Sequence, residues 1–564
     1  MSVEAKSTVI NGWTAGRIFR EPLLWLGLVL VVLAVLLSLP LSVAIGPMYW
    51  DTYLYLDAAQ RIAMGQTPNV DFQVPVGPLV YYLFTWGLEL FPRAQLLLLA
   101  QWCLLAVAAP LMAVVIADTA KRSHGLAFAL LIPFLVFALA PVNALTYSSF
   151  PSLDGYSIYN RHSVLLLYVL VSGLLFIRDG RKLAWFCALA MLALFLTKIT
   201  AFLAGGMIGL FALLAGRIAL RNVALAALIF VVPLAVSEFA VHFVSSYLSN
   251  IAQLVGLNEG SWLSRVLMVI SAKLNVLVPV GVMCAMLAWL SLGAEKAVPF
   301  FDRSYWWLGV ATLAGIAFET QNTGGGQEFI FLWPILLMAW PRLQGYEKRS
   351  QAILLVLAAF SVVPTISNVA HRVLRSVAVL PTYQTLDLPL LKNMEQVATR
   401  ADHMERAARN VSHYIEFSDT YESLARQGQA PSWNYYSELD FQIYFLIDIA
   451  AGAQAILDFE AANSVRLNTL MTLEFTNPFP WLLDRDATRH IQIGADPFRT
   501  IPPMTPEIKA AIDATDAVIR PKCPVTSGRL AVESIYSEAL ENRQVVEIHP
   551  CWDLLLRPGL LPAP

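Results

Sequence analysis

Charged side chains are scarce in this chain, so each one beside an apolar run asks for a reason. The stretch GPMYWDTYLYLDAAQRIAMGQTPNVDFQVPVGPLVYYLF, residues 46–84, sets Asp51, Asp57, Arg61 and Asp71 among tyrosines between two apolar runs. An aspartate at such a border can take a proton from a hydroxyl held against it. Asp51 is flanked by Tyr49, Trp50, Tyr53 and Tyr55, aromatics that suit the bilayer–water interface and can stack on a sugar. If residues 51–64 form a helix lying on the surface, Asp51, Tyr55, Ala58 and Ile62 share one face. The alternative is an interfacial helix with a solvated aspartate. Asp57 and Arg61 are spaced i, i+4 and read as a surface ion pair. Asp71 is either a second polar wall of a cavity or a loop-turn residue.

Cations stand at similar borders. The loop TYSSFPSLDGYSIYNRHSVLLL ends in Tyr159, Asn160, Arg161 and His162 just before an apolar run. An arginine at a helix start opposes the positive end of the helix, which an anionic ligand would explain and lipid headgroups would explain as well. Lys198, in LFLTKITAFLAGG, sits between two apolar runs. Ionisable residues within membrane segments default to functional hypotheses, against which stands simple snorkelling. Lys273, in ISAKLNVLVP, is a weaker case of the same kind. FETQNTGGGQEFIF, residues 318–331, offers Glu319, Gln321, Asn322, Gln327 and Glu328 as polar lining or as a plain turn. NVAHRVLRS leaves the last apolar run with His371, Arg372 and Arg375. Glu238 and His242 are spaced i, i+4 and read as a hydrogen-bonded pair inside a helical bundle.

The elements that must position these residues are membrane helices. Of 564 residues 57% are hydrophobic and 14% charged, and the mean hydropathy is +0.60, against about one quarter charged in soluble domains. About 20 apolar residues cross a bilayer core of about 30 Å. Candidate segments lie near 23–45, 77–91, 94–117, 124–143, 162–177, 183–197, 199–216, 222–244, 266–292, 304–319, 328–341 and 350–368. The run 77–91 is short and either spans, re-enters or lies along the interface, so about 11–13 transmembrane helices are expected. Residues 1–22 read as a cytosolic lead-in bearing Arg17 and Arg20 rather than a secretory signal.

Lys and Arg concentrate in loops 120–125, 178–182, 216–221, 294–303 and 341–350. These alternate with less basic loops at 46–76, 144–161, 197–200, 245–265 and 320–327. If the basic set is cytosolic, the other set faces outward, and so does the C-terminal part. The net charge of −2 argues for no nucleic-acid surface. GxxxxGK(S/T), GxGxxG, HExxH and CxxC are absent, so nucleotide hydrolysis and a zinc site gain no support.

From residue 376 to 564 the composition turns polar and reads as one soluble α/β domain. Within it KNMEQVATRADHMERAARNVSHYIEFSDTYESLARQG is helix-like and QVVEIHP strand-like. Of five cysteines, Cys103, Cys187 and Cys284 lie in apolar runs and read as small buried hydrophobes. Cys523 and Cys551 lie in the soluble part, where an oxidising compartment would favour a disulfide.

The first outer loop resembles membrane glycosyltransferases of the GT-C superfamily, in the branch of the lipid A aminoarabinose transferases and protein O-mannosyltransferases. The resemblance rests on YWDTYLYLDAAQRIAMGQTPNVDF and VGPLVYYL. These carry an acid soon after the first helix, Tyr and Ala positions, a Gly- and Pro-containing link, and a Pro-Leu-x-Tyr entry to the next helix. It implies a GT-C-like polytopic helical domain over 23–375 with its first outer loop at 46–76, followed by an outward-facing soluble domain over 376–564. Family members often have Asp-Glu where this chain has Asp51 and Thr52, so a two-carboxylate or metal-assisted variant loses its second acid.

The implied activity is sugar transfer from a polyprenyl-phosphate donor to a glycan or glycolipid acceptor on the outer face of a bacterial-type inner membrane. It is expected to invert, with Asp51 as general base, and no cofactor is indicated. Donor-contacting candidates are Arg161, Lys198, Tyr55, Tyr159, Asn160, Asp71 and Arg372, the last because family members often use a late arginine. The alternatives are a transporter or flippase, which would predict inverted repeats and broken helices in matching halves, a ligase of lipid-linked glycans, and a structural scaffold.

Overall fold

The computed structural model describes residues 21–258, 262–294, 298–321, 326, 328–429 and 439–561. Arg17, Arg20, Asn322 and Gln327 lie outside them. Among the described residues six helices are long and apolar enough to cross a membrane: Leu96–Ala120, Ile158–Phe176, Gly180–Thr197, Leu220–Val241, Leu274–Ser291 and Lys348–Thr382. Shorter apolar helices join them, including Pro22–Leu37, His124–Leu139 and Ile199–Leu214. The run at 77–91 forms only the helix Leu79–Leu90, which at 1.5 Å per residue reaches about 18 Å, short of a bilayer core.

The Ile158–Phe176 helix is buried almost throughout and is the axis of the bundle. The Leu220–Val241 helix has no buried residue and faces outward with Leu228, Val231, Val236 and Phe239.

Two polar clusters mark the ends of the bundle. At one end Arg217 Nε lies 2.6 Å and Arg342 Nη2 3.4 Å from Asp302, and Lys182 lies 3.3 Å from Asp118. These cations come from the basic loops. The helix Gly180–Thr197 runs from that end to Lys198. Its 18 residues span about 27 Å, close to the thickness of a bilayer core.

Three sequence expectations are corrected. The segment read as one span at 266–292 is broken at Lys273 into Trp262–Ala272 and Leu274–Ala294. The loop read at 245–265 contains the helix Phe243–Leu257, whose mixed polarity hides its period. The last bundle helix runs on to Val379, past the boundary read at 375.

The polar C-terminal part is α/β. A five-stranded sheet has the order β5–β4–β6–β8–β7, with β4 (Thr469–Thr472) parallel to β5 (Asp486–Ala487) and β6 (Ala517–Pro521). β6 is antiparallel to β8 (Trp552–Leu556), and β8 to β7 (Gln544–His549), the QVVEIHP strand. A small sheet binds the two parts: β1 (Val43–Ala44) pairs in parallel with β3 (Val397–Thr399), which pairs with β2 (Gln384–Thr385). Cys523 and Cys551 form a disulfide.

Candidate functional site

The opening stretch folds as the helix Asp51–Ala63. It does not lie on a surface as read from sequence: residues 52–61 are all buried, clamped between the bundle and the C-terminal domain. Trp50 stacks 5.0 Å from Phe475, and its backbone N–H donates to Gln442 at 3.1 Å. Asp57 and Arg61 do pair, at 2.8 Å, but inside the protein, where Arg61 also reaches the Thr488 carbonyl. Part of the cover of this helix, including Phe445 and Phe475, is supplied by the distant domain, which its own sequence does not reveal.

Asp51, at the first turn, stays partly exposed. Its Oδ2 accepts the Ser157 N–H at 3.2 Å; among the described residues Oδ1 has no donor. Ser157 stands at φ 53°, ψ 44°, a left-handed conformation that non-glycine residues hold only when their surroundings impose it. That conformation aims its N–H at Asp51 just before the Ile158–Phe176 helix begins. Burial pushes the Asp51 carboxyl up to about 7, while the Ser157 N–H and the Arg161 charge pull the other way. The neighbouring loop approaches closely because Gly155 has no side chain: a Cβ there would fall 2.5 Å from Tyr49 Cα.

Below Asp51 lies a buried ionic network. Arg161 donates Nε to Gln101 Oε1 at 2.8 Å, Nη1 to the Tyr156 carbonyl at 3.0 Å and Asn143 Oδ1 at 3.3 Å, and Nη2 to the Asp154 carbonyl at 3.3 Å. Arg372 Nη2 reaches both oxygens of Asp154, at 2.6 and 2.8 Å. Its Nη1 donates to the carbonyls of Asn143 and Leu145 at 2.6 and 2.9 Å. Asn143 N–H completes Asp154 at 3.0 Å. The two arginines thus share Asn143 and Asp154. His371 and Arg375, adjacent on the same helix, point outward.

Lys198 forms the second arm. It is extended backbone between two helices, and its side chain is buried. Nζ donates to Asn160 Oδ1 at 2.7 Å and lies 4.8 Å from the centre of the Tyr159 ring and 5.6 Å from that of Phe318. Glu319 is close enough to act on its charge. Asp51, Arg161 and Lys198 therefore converge on the first turn of one helix, Ile158–Phe176. Tyr55 backs this region with Tyr81 at 5.2 Å and Phe84 at 5.5 Å.

Other sequence candidates lie apart. Asp71 holds its own loop, accepting the Thr67 N–H at 2.7 Å, and pairs with Arg489 of the C-terminal domain at 3.3 Å. Lys273 pairs with Glu328 at 2.9 Å, both buried. Gln321 is exposed. Glu238 and His242 are 3.7 Å apart at the surface rather than inside the bundle, His242 being 80% exposed. Among the described residues no cluster of three His, Cys, Asp or Glu side chains could hold a metal ion.

Sequence reading passed over Asp154, Asn143, Gln101 and Ser157. Only Asp154 carried a signal, as the one acid in the loop already singled out for Arg161.

No protein-family model matches the chain, and no curated protein does. Two solved structures match, both of ArnT, an aminoarabinose transferase, from Cupriavidus metallidurans. One, bound to undecaprenyl phosphate, is 15% identical over 96% of this chain and 99% of its own, with a TM-score of 0.43. The other, in the apo state, is 14% identical over 98% and 100%, with a TM-score of 0.42. Both TM-scores lie below 0.5, and the roles of the residues rest on the local geometry alone.

Proposed function

We propose that this protein is a membrane glycosyltransferase that moves a sugar from a polyprenyl-phosphate donor to a glycan or glycolipid hydroxyl at the outer membrane border. The observation that carries the reading is the placement of Asp51: a half-buried carboxylate, one oxygen fixed by the Ser157 N–H and the other without a donor among the described residues, beside the first turn of a helix that also gathers Lys198. A carboxyl raised to about 7 is matched to abstracting a proton near neutrality.

In the proposed step Asp51 takes the acceptor hydroxyl proton as that oxygen bonds to the anomeric carbon. The bond from that carbon to the phosphate oxygen breaks, and the electron pair leaves with the polyprenyl phosphate. Attack from the opposite side inverts the anomeric centre. The leaving phosphate gains charge, and the N-terminus of the Ile158–Phe176 helix with Lys198 is a suitable place for it. Tyr159 serves as a sugar-facing wall, with the buried Tyr55 behind the site. Arg161 and Arg372, with their donors spent on Asp154, Asn143 and carbonyls, support the site from beneath. The Cys523–Cys551 disulfide supports an extracytoplasmic C-terminal domain.

The test is transfer from radiolabelled polyprenyl-phosphate sugars to native membrane glycans, wild type against Asp51→Asn at equal expression. Loss of transfer with folding and donor binding retained is the expected result. Normal transfer by Asp51→Asn refutes the assignment, and no transfer by wild type from a broad donor panel favours a transporter.

A further inference from the structure

The helix Phe243–Leu257 lies at the Asp51 end of the bundle. Tyr247 donates to the Phe195 carbonyl at 3.2 Å, near the end of the helix that precedes Lys198, and Asn250 donates to the Asn69 carbonyl at 3.1 Å in the first outer loop. One face of this helix therefore packs on protein. The other exposes Leu248 and Val255, seven residues apart, with Leu257 near its end, and the next helix opens with exposed Trp262 and Leu263. An amphipathic helix of this kind lies in a bilayer interface plane.

The C-terminal domain reaches the same level. Asn258, just past the helix, donates Nδ2 to the Arg499 carbonyl at 3.1 Å. Arg499 belongs to the loop 496–501, which is tied to Asp496. The amides of Arg499, Thr500 and Ile501 donate to its carbonyl at 3.2, 2.9 and 3.2 Å, and the Phe498 amide to its carboxylate at 2.9 Å. Ile501 is buried and holds the loop from inside. At the tip Phe498 is 60% exposed, on a well-bonded loop next to Arg499, which holds Asn258 at the end of the Phe243–Leu257 helix.

Arg265, whose Nη2 donates to the Asn258 carbonyl at 3.2 Å, and Arg499 bring cations to the same border. Aromatic and apolar tips with arginines behind them match the acyl–headgroup boundary, where rings sit at headgroup level and cations meet phosphates.

We infer that the loop 496–501 is a membrane anchor: Phe498 inserts into the outer leaflet next to the Phe243–Leu257 helix and fixes the C-terminal domain on the bilayer. This rests on the membrane reading of the bundle and is independent of the proposed transfer reaction. The occupant is lipid.

The test uses the full chain in vesicles of phosphatidylethanolamine and phosphatidylglycerol. Cys103, Cys187 and Cys284 are replaced by alanine and a nitroxide is placed at Phe498→Cys. A matched label goes at Val545→Cys, exposed near Lys522 and Glu547. Power saturation reads accessibility to oxygen and to a water-soluble nickel chelate. At 498 oxygen accessibility should exceed that of the chelate several-fold, with the order reversed at 545. Equal behaviour at the two positions overturns the anchor. A second variant keeps an aromatic ring, with photoreactive benzoylphenylalanine at 498. Phospholipid adducts are expected, and adducts confined to protein overturn the inference.

Discussion

Arg372 and Asp154 lie 218 positions apart in sequence and meet in the interior, Asp154 with none of its side chain exposed and Arg372 with 8%. Arg372→Met leaves the buried Asp154 carboxylate with Asn143 as its one side-chain and backbone donor and only the more distant Arg161 charge, and strips the Asn143 and Leu145 carbonyls of their donor. Removing one member of such a pair costs about 3–5 kcal/mol. Asp154→Asn leaves the guanidinium without its counter-charge at similar cost. The double variant removes both charges of this pair, leaving only Arg161 to lose its acidic neighbour, and should cost less than the sum of the singles by about 2–3 kcal/mol, near the top of the range for residues in direct contact. The assay is equilibrium unfolding in mixed micelles titrated with dodecyl sulfate, read by tryptophan fluorescence. Additivity to within about 0.5 kcal/mol would refute the coupling. Arg372→Met with wild-type stability but lost donor binding would return Arg372 to the donor-phosphate role read for it from sequence.

Other outcomes follow from the same geometry. Lys198→Met should weaken donor binding roughly tenfold to a hundredfold, the size of one charge-assisted hydrogen bond, with Lys198→Arg recovering part of it; KM and kcat measured separately check this. Cys523→Ser opens a disulfide spanning 28 residues and should destabilise the C-terminal domain by roughly 3.5 kcal/mol on loop-entropy grounds, measurable as a lower unfolding midpoint that reductant reproduces in wild type.

How much was legible in the sequence depended on whether a residue's reason was local. Asp51 and Lys198 stand out because charge is costly beside apolar runs, and both contact the start of the Ile158–Phe176 helix. The Asp57–Arg61 pair was legible as a pair, from its helical spacing, but not as buried, because the covering residues come from beyond residue 470. Arg161 reads equally as facing an anionic ligand or lipid headgroups; its partners come instead from its own preceding loop, Asp154 and Tyr156, and from the distant Gln101 and Asn143, which no periodicity brings together. The left-handed Ser157 leaves no mark in composition, since serine carries no preference for it. The helix Phe243–Leu257 reads as a loop because Ser245, Ser246, Ser249 and Asn250 interrupt the apolar pattern, yet Asn250 ties it to the first outer loop and Asn258, just past its end, ties it to the C-terminal domain.

The most direct test of Asp51 as base is the pH dependence of single-turnover transfer in wild type. A base works ionised, and burial raises this carboxyl from its ordinary range to about 7. The ionised fraction is therefore complete well above pH 7 and falls about tenfold per unit below it. The account predicts a rate that rises with unit slope up to about pH 7 and then levels. A rate independent of pH between 5 and 8, or one that falls as pH rises through 7, would contradict it.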